Sequence, residues 1–340
     1  MKVLVLGASG HIGKSLVNLL AAQPDMVITG ASRRAPSQHV GNASFIQLDT
    51  LNALSLAVAI EGFDAVVNCV AGNPQTISDG ARLLSQAATA ARCPRIIHLS
   101  TMSVYGPAEG RISEDTPLDT TLGWYGKAKC EAEAHMAEFA SSGGQAVVLR
   151  PGCVFGPGSS LWVSRIGRWL QAGRLGDLGV AGDGWSNLVH VDDVCRAIAA
   201  ALHFNMRDNR VSVFNLAAPD SPRWNEYFVD LALALNATPV QRVSSRQLKL
   251  DALLAGPPLK IAEIACARLG KSYRLPDPMP PGLARLWAQH IQLEATRAGQ
   301  MLGLAWTPYC TALKTSVDWF TDTQLPTQSG RGKVYARIEG

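Results

Sequence analysis

A tyrosine and a lysine stand four residues apart in the stretch WYGKAKCEAE, residues 124–133. If this stretch is helical, Tyr125 and Lys129 lie one turn apart on the same face. A free phenol has a pKa of about 10 and is a poor base near neutrality, but a neighbouring ammonium favours the phenolate. The pair could therefore exchange a proton with a bound alcohol or carbonyl group, or it could simply be two polar side chains on a solvated helix.

Hydroxyl side chains precede this pair at the end of an apolar run. IIHLSTMSVYG, residues 96–106, places Thr101 among other hydroxyls directly after a predicted strand. In a parallel α/β sheet, the ends of strands present groups to the ligand crevice. We therefore expect Thr101 to hydrogen-bond the same substrate oxygen that Tyr125 protonates or deprotonates, while Lys129 tunes Tyr125.

A glycine-rich turn follows the first apolar run of the chain. GASGHIG, residues 7–13, opens an amphipathic segment. Glycine permits a tight turn and lets backbone N–H groups approach a pyrophosphate, and the positive end of the following helix favours an anion there. The pattern predicts a dinucleotide site. The residues expected to contact the cofactor from this turn are Gly7, Ser9, Gly10, His11, Ile12 and Gly13.

The end of the second predicted strand indicates which dinucleotide binds. An NAD site usually has an acidic residue there, bonded to the ribose 2′-hydroxyl. This chain has Ser32, Arg33 and Arg34 instead. Because guanidinium groups bind phosphates through paired hydrogen bonds, the sequence favours NADP(H) over NAD. The alternative is that the two arginines are solvated surface residues.

Two further segments fit the same cofactor site. Asp49 ends SFIQLD, where an adenine amino group would meet a side-chain acceptor, although Asp49 could instead cap the next helix. NCVAG ends the fourth predicted strand with small residues that let backbone lie near the nicotinamide ribose. The residues expected there are Val70, Ala71 and Gly72.

The order of apolar runs predicts the fold. Seven runs read as strands and most are separated by amphipathic helical segments, which predicts a Rossmann-type, doubly wound parallel α/β sheet. We expect a dinucleotide-binding domain in residues 1–157, to which 188–217 return. A smaller, mostly helical substrate lobe is expected from 158–187 and 218–322, followed by a loose tail, 323–340. The seven runs are KVLVLG, MVITGASRR, SFIQLD, DAVVNCVAG, RIIHLS, AVVLRPG and SVFNLAAP.

Composition excludes several classes of function. The chain has 340 residues, 47% of them hydrophobic and 17% charged, which excludes a disordered protein. A net charge of +4 gives no indication of nucleic-acid binding. The seven cysteines are scattered singly and the apolar runs are short, so we expect reduced thiols, no membrane anchor and a cytoplasmic location. His190, Asp192 and Asp193 are expected to be structural, and no metal is predicted.

Taken together, the motifs GASGHIG, LSTMSVYG, YGKAK, LRPGCVFGPG and GDGWSNLVHVDDV resemble those of the extended short-chain dehydrogenases/reductases. That family includes NAD(P)-dependent epimerases, dehydratases and sterol-type dehydrogenases, and the resemblance covers about residues 1–320. It implies that Tyr125 and Lys129 are the family's Tyr-x-x-x-Lys pair and that Thr101 is its active-site hydroxyl. It also implies further contacts with the cofactor (Ser100, Pro151 and Val154). The candidate substrate contacts are Ser103, Cys153 and, from the tryptophan-rich segment that follows, Trp162 and Trp185.

The branch of the family is less well defined. Nucleotide-sugar members usually have an asparagine at the position of Cys153 and an arginine at that of Ser186, where it binds diphosphate. Arg165, Arg168 or Arg174 could substitute for that arginine. The segment 161–185 is instead rich in tryptophan and leucine, which would suit an apolar substrate wall or the core of the second lobe.

We therefore expect an NADP(H)-dependent ketone reductase or alcohol dehydrogenase that acts on a hydrophobic or secondary-metabolite substrate. A nucleotide-sugar epimerase or dehydratase that does not consume its cofactor is the main alternative, and a non-catalytic NADP-sensing regulator is a minor one. The resemblance also implies a homodimer that pairs through helices at about 78–92 and 125–140.

Overall fold

The computed structural model describes residues 1–34, 41–121, 123–205, 211–250, 258 and 279–324. Its strands are β1 (Lys2–Leu6), β2 (Val27–Ser32), β3 (Ser44–Gln47), β4 (Ala65–Asn68), β5 (Arg95–Leu99), β6 (Gly110–Ile112), β7 (Gln145–Pro151), β8 (Cys153–Phe155), β9 (Leu188–His190), β10 (Ser212–Leu216) and β11 (Ile291–Leu293).

The helices are α1 (His11–Ala21), α2 (Ala53–Ile60), α3 (Pro74–Ala90), α4 (Trp124–Ser141), α5 (Ile166–Gln171), α6 (Val191–His203), α7 (Trp224–Ala234), α8 (Ser245–Leu250), α9 (Pro281–Ala288), α10 (Thr296–Met301) and α11 (Tyr309–Gln324). Short 3₁₀ turns span Met102–Tyr105 and Gly179–Gly182, and a π-helical turn spans Ser160–Arg165. Because α11 ends at Gln324, residues 325–340 of the predicted tail lie outside the described ranges.

One parallel sheet organises the first half of the chain. Within the described residues it has seven strands in the order β10-β7-β5-β4-β1-β2-β3, and every neighbouring pair is parallel. Each of the seven apolar runs predicted as strands contains one of these strands. The runs are apolar on both faces because helices cover both sides of the sheet. The predicted Rossmann-like α/β fold is confirmed.

Two hydrophobic layers sandwich this sheet. α1 and α6 pack on one side, where Leu16, Val17 and Leu20 of α1 are buried. α2, α3 and α4 pack on the other side. The segment after the glycine turn is amphipathic, with Ile12, Leu16, Leu19 and Leu20 at helical spacing; Leu16 and Leu20 are buried, whereas Ile12 and Leu19 are only partly buried at the margin. The helix is rotated slightly from the expected face because Val17 also packs inward.

A third hydrophobic cluster forms from the segments outside the sheet. It joins the small β6–β11 and β8–β9 sheets to α5, α7, α9 and α11. Trp169, Leu175 and Leu178 are at most 4% exposed within it. These three side chains, which sequence alone left open between substrate wall and core, therefore belong to the core. Trp224 and Trp287 pack beside them, with ring centroids 6.5 Å apart.

Asp193, in the sequence VDD at residues 191–193, binds the segment that precedes α11 to α6. Asp193 is 1% exposed and accepts hydrogen bonds from the backbone N–H of Thr307 at 3.2 Å and from its hydroxyl at 2.8 Å. It also pairs with Arg196. His190 caps the helix by accepting the N–H of Asp192 at 3.4 Å. Asp193 thus joins α6 to the segment that leads into α11.

No group of three or more metal-ligating side chains occurs among the described residues. In the same ranges, no helix combines the length and apolarity needed to cross a membrane.

We expect Asp193→Ala to lower the free energy of unfolding by about 3 kcal/mol, because it leaves buried donors of Thr307 unpaired. Urea unfolding followed by circular dichroism measures this loss. Asp192→Ala is the matched control, since the Asp192 side chain is 57% exposed and its removal should cost less than about 0.5 kcal/mol. Equal losses of unfolding free energy in the two variants would contradict a stabilising role for the bonds between Asp193 and Thr307.

Candidate active site

Tyr125 and Lys129 lie in the first turns of α4, which packs against β5, β7 and the 3₁₀ turn Met102–Tyr105. Gly126 stands between them. A Cβ atom at this position would lie 2.7 Å from the Ser103 carbonyl oxygen, so only glycine permits this approach of α4 to the turn. Lys129 is 3% exposed and Tyr125 is half-buried. The helix therefore directs the pair toward the sheet and not toward solvent.

Thr101 meets Tyr125 at the end of β5. The Thr101 hydroxyl lies close enough to Tyr125 to lower the pKa of its phenol. Thr101 has an extended backbone and caps the 3₁₀ turn: its Oγ1 accepts the Ser103 N–H at 3.2 Å and donates to Ser103 Oγ at 3.3 Å. The structure thus brings together the two hydroxyls that the sequence suggested would face one substrate oxygen, with Ser103 beside them.

Burial raises the pKa of Tyr125, and the Thr101 hydroxyl offsets part of that rise. The loss of hydration of the phenolate dominates in this structure, and the tuning of Tyr125 by Lys129 stays a prediction. Tyr125 is therefore a neutral phenol, a form that can donate a proton.

Lys129 is anchored to the strand that carries Thr101. Its Nζ donates a hydrogen bond to the Leu99 carbonyl oxygen at 2.6 Å. Burial lowers the pKa of Lys129 to about 8, while Cys69 and Glu133 act in the opposite direction. Near neutral pH the ammonium is still the main form. One donor of the ammonium is used by Leu99, which leaves the others for a ligand.

The glycine turn forms a cradle at the start of α1. A Cβ atom on Gly13 would lie 2.2 Å from the Gly7 carbonyl oxygen, and Gly7 itself has a φ of +79°. No side chain caps α1, whose N-cap is Gly10. The free N–H groups of its first turn are therefore positioned for an anion. These features fit a dinucleotide pyrophosphate.

A cavity of about 170 Å³ lies beside this cradle and joins it to the ends of β2 and β4. Of the residues that the sequence suggested for the cofactor, Gly7, Ser9, Gly10, Ser32, Arg33, Val70 and Ala71 line it. Leu6, Ala31, Leu48, Thr50, Cys69 and Thr76 also line it and were missed. Leu48 and Thr50 flank Asp49, so the two-residue alternation of an extended segment was the signal that could have found them.

Asp49 is not among the lining residues. It is exposed, and its Oδ1 accepts the N–H of Leu51 at 3.1 Å. The N-cap of α2 is Asn52, whose Oδ1 accepts the Ser55 N–H at 3.0 Å. Asp49 is therefore not the cap of α2. Its contact with adenine stays a prediction.

Other predicted cofactor residues lie around the cradle without lining the cavity. His11 donates from Nε2 to the Pro157 carbonyl oxygen at 2.9 Å and so faces the segment after β8. Arg34 is exposed, and its carbonyl oxygen accepts a bond from Ser32 Oγ at 2.5 Å. Ser100 is buried against Glu133. Ile12, Gly13, Gly72, Pro151 and Val154 are likewise absent from the lining.

The predicted substrate residues are dispersed. Cys153 is 2% exposed in the third hydrophobic cluster, where burial raises the pKa of its thiol. Trp162 packs against Trp224 with ring centroids 5.2 Å apart. Trp185 lies under the Arg223 guanidinium, 4.6 Å from its ring centroid, and lines a second cavity of about 450 Å³. Of the predicted substrate residues, Ser103 alone contacts Thr101 in the described structure.

Comparison with known proteins agrees with this geometry. The family model described as "NAD dependent epimerase/dehydratase family" matches residues 3–217. Protein YeeZ of Escherichia coli K12 is 31% identical over 196 residues, which are 58% of this chain and 64% of that protein. The 2'-dehydrokanamycin reductase of Streptomyces kanamyceticus is 28% identical over 236 residues, 67% of this chain and 65% of the relative. The chain thus spans less than two thirds of the length of these relatives.

The match covers a larger share of a third relative. The 3-diazoavenalumate denitrifying reductase of a Streptomyces species is 32% identical over 222 residues, 59% of this chain and 72% of the relative.

Solved structures show the same fold. MoeE5 in complex with UDP-glucose and NAD superposes with a TM-score of 0.71 at 24% identity, over 95% of this chain and 99% of that chain. UDP-glucose 4-epimerase from Thermotoga maritima gives a TM-score of 0.72 at 20% identity, with coverage of 95% and 99%. With its glycine cradle, its Thr–Tyr–Lys group and the family model spanning most of its sheet, the chain belongs to the NAD-dependent epimerase/dehydratase family of NAD(P)-dependent enzymes, as its resemblance to extended short-chain dehydrogenases/reductases implied.

Proposed function

We propose that this protein is an NADP(H)-dependent oxidoreductase that transfers hydride between the nicotinamide and a ketone or secondary alcohol of a hydrophobic or secondary-metabolite substrate. The observation that carries the proposal is the anchoring of buried Lys129, through its bond to the Leu99 carbonyl oxygen at 2.6 Å, to the strand end that carries Thr101, with Tyr125 one helical turn before it. Two hydroxyls and an ammonium thereby converge at one strand end, next to a cradle suited to a dinucleotide.

In this reaction the nicotinamide supplies or accepts the hydride when the cofactor is bound. Thr101 donates a hydrogen bond to the substrate oxygen and orients it. Tyr125 donates its phenolic proton to that oxygen in the reducing direction, for which the neutral phenol is the required form. Lys129 holds the ribose hydroxyls and its positive charge stabilises the phenolate that results.

The choice of NADP(H) rests on the end of β2. Arg33 lines the cavity beside the glycine turn, and no carboxylate follows β2 where NAD enzymes place one. Gln47 donates from Nε2 to the Arg33 carbonyl oxygen at 3.1 Å, which fixes the backbone there. Arg33 is the residue that we expect to bind the 2′-phosphate.

The substrate class rests on two positions where nucleotide-sugar enzymes place polar contacts. Ser186 is fully buried and its hydroxyl donates to the Pro222 carbonyl oxygen at 2.6 Å, so it has a structural partner. Cys153 is buried in an apolar cluster. The relatives include a 2'-dehydrokanamycin reductase and a 3-diazoavenalumate denitrifying reductase, which supports a net reduction. Epimerisation or dehydration of a nucleotide sugar is the second candidate, favoured by the enzymes that share the fold.

Cofactor turnover separates the two candidates. We expect NADPH absorbance at 340 nm to fall when the protein meets a panel of aminoglycoside ketones, aryl ketones and keto sugars. If the bound cofactor instead persists unconsumed while a nucleotide sugar is converted, the epimerase or dehydratase reading is correct. NADP binding without turnover of any panel member, together with unchanged biological activity of Tyr125→Phe, would point to a sensor.

Tyr125→Phe should lower kcat by at least about 10²-fold, the usual loss when a positioned acid–base group is removed. Steady-state kinetics with the substrate found in the panel measures it. Tyr309→Phe is the matched control, because Tyr309 bonds to Asp230 outside the site. Turnover near the wild-type rate in Tyr125→Phe would exclude the proposed proton transfer.

Arg33→Ala should weaken NADPH binding by about tenfold or more, the scale of a charge-assisted hydrogen bond, and leave NADH binding nearly unchanged. Fluorescence titration with each cofactor measures both affinities. Arg82→Ala removes an exposed arginine of α3 and should change neither value. A similar loss for NADPH and NADH would contradict recognition of the 2′-phosphate.

A further inference from the structure

A buried ion pair lies one helical turn beyond Lys129. Tyr125, Lys129 and Glu133 follow at four-residue intervals on α4 and share one face. Glu133 and Arg150 of β7 are 8% and 5% exposed. Glu133 Oε1 accepts from Arg150 Nε at 3.0 Å, and Oε2 accepts from Nη2 at 2.6 Å. Removing two charges from water is costly, so a pair this deep calls for a functional explanation.

The carboxylate of Glu133 also binds the strand end that carries Thr101. Ser100 Oγ donates to Glu133 Oε1 at 2.5 Å. The preceding residue, Leu99, accepts the bond from Lys129. Two consecutive residues of the strand end are therefore joined to two consecutive turns of α4, one through a carboxylate and one through an ammonium.

Further hydrogen bonds fix the Arg150 guanidinium against Glu133. Its Nη1 donates to Tyr105 OH at 2.9 Å and to the Glu114 carbonyl oxygen at 3.2 Å. The hydroxyl of Tyr105 in turn donates to Asn215 Oδ1 at 2.6 Å. Because each nitrogen of the guanidinium donates a bond, its orientation is fixed, and so is that of the carboxylate.

We propose that Glu133 is a positioning residue for Lys129: held by Arg150 and Ser100, its carboxylate keeps Lys129 as an ammonium at the strand end where the cofactor ribose binds. The inference rests on the proposed function, in which Lys129 holds that ribose. Glu133 touches neither substrate nor cofactor and acts only through its charge and its bonds.

The charges around Lys129 single out Glu133. The titratable groups that interact with Lys129 are Glu133 on α4, Cys69 after β4 and His98 on β5, and Tyr125 lies one helical turn before it. Burial raises the pKa of Cys69 to about 12 and lowers that of His98, so both are uncharged near neutrality. Burial also lowers the pKa of Lys129 to about 8. Among these groups, Glu133 supplies the negative charge that opposes this loss at pH 7.

The test is NADPH binding, measured by fluorescence titration between about pH 6 and 9.5, which requires no substrate. Wild-type affinity should fall as the pH rises through about 8, where Lys129 loses its proton. In Glu133→Gln the midpoint should move down by about one pH unit, the scale of one partly screened charge. Lys129→Met should remove the midpoint. Glu131→Gln, an exposed neutralisation on the same helix, should keep the wild-type midpoint.

Glu133→Gln leaves Arg150 buried without its counter-charge, which can prevent folding. The double variant Glu133→Gln/Arg150→Gln removes both charges and should show a smaller downward shift, because loss of the Arg150 cation favours the ammonium of Lys129. A folded Glu133→Gln variant with the wild-type midpoint, a double variant whose midpoint moves down further than that of Glu133→Gln, or a midpoint that survives Lys129→Met would overturn the role of Glu133 while NADPH binding remained. A wild-type protein that binds neither NADPH nor NADH would overturn the proposed function and this inference with it.

Discussion

The close approach of α4 to the end of β5 sets the geometry on which the rest of the site depends. The contact is made by the bond from Lys129 Nζ to the Leu99 carbonyl oxygen and is permitted by the absence of a side chain at Gly126. Thr101 comes close to Tyr125 only because these two segments meet. A helix held further away would leave two separate hydroxyls and an unpaired buried ammonium, which is costly in a low dielectric.

Burial sets the pKa of both Tyr125 and Lys129. Desolvation keeps Tyr125 a neutral acid and brings the pKa of Lys129 down to about 8. The same desolvation would discharge Lys129 altogether in an apolar environment, and the buried carboxylate of Glu133 opposes it. The ion pair with Arg150 is thus joined to the proposed chemistry through electrostatics as well as through packing, since the carboxylate needs a counter-charge to remain ionised.

The fold keeps the proposed cofactor cavity apart from the third hydrophobic cluster, which belongs to the predicted substrate lobe. The glycine turn, the end of β2 and the end of β4 converge because they are the carboxyl ends of neighbouring parallel strands. The segments after β8 and β10 build their own hydrophobic cluster, in which most tryptophans are used for packing. The cavity beside the glycine turn and the third hydrophobic cluster are therefore built from different parts of the chain.

The sequence by itself determined the features that depend on neighbours along the chain. The seven strands are continuous apolar runs, the glycine turn is a local backbone requirement, and the Tyr–Lys spacing follows from the helix period. Only the tertiary structure decided which residues meet across long separations: that Glu133 pairs with Arg150, that Cys69 and Thr76 line the cofactor cavity, and that Trp169 is core. It also decided the pKa of Lys129, because desolvation depends on every segment packed around a group and not on its neighbours in sequence.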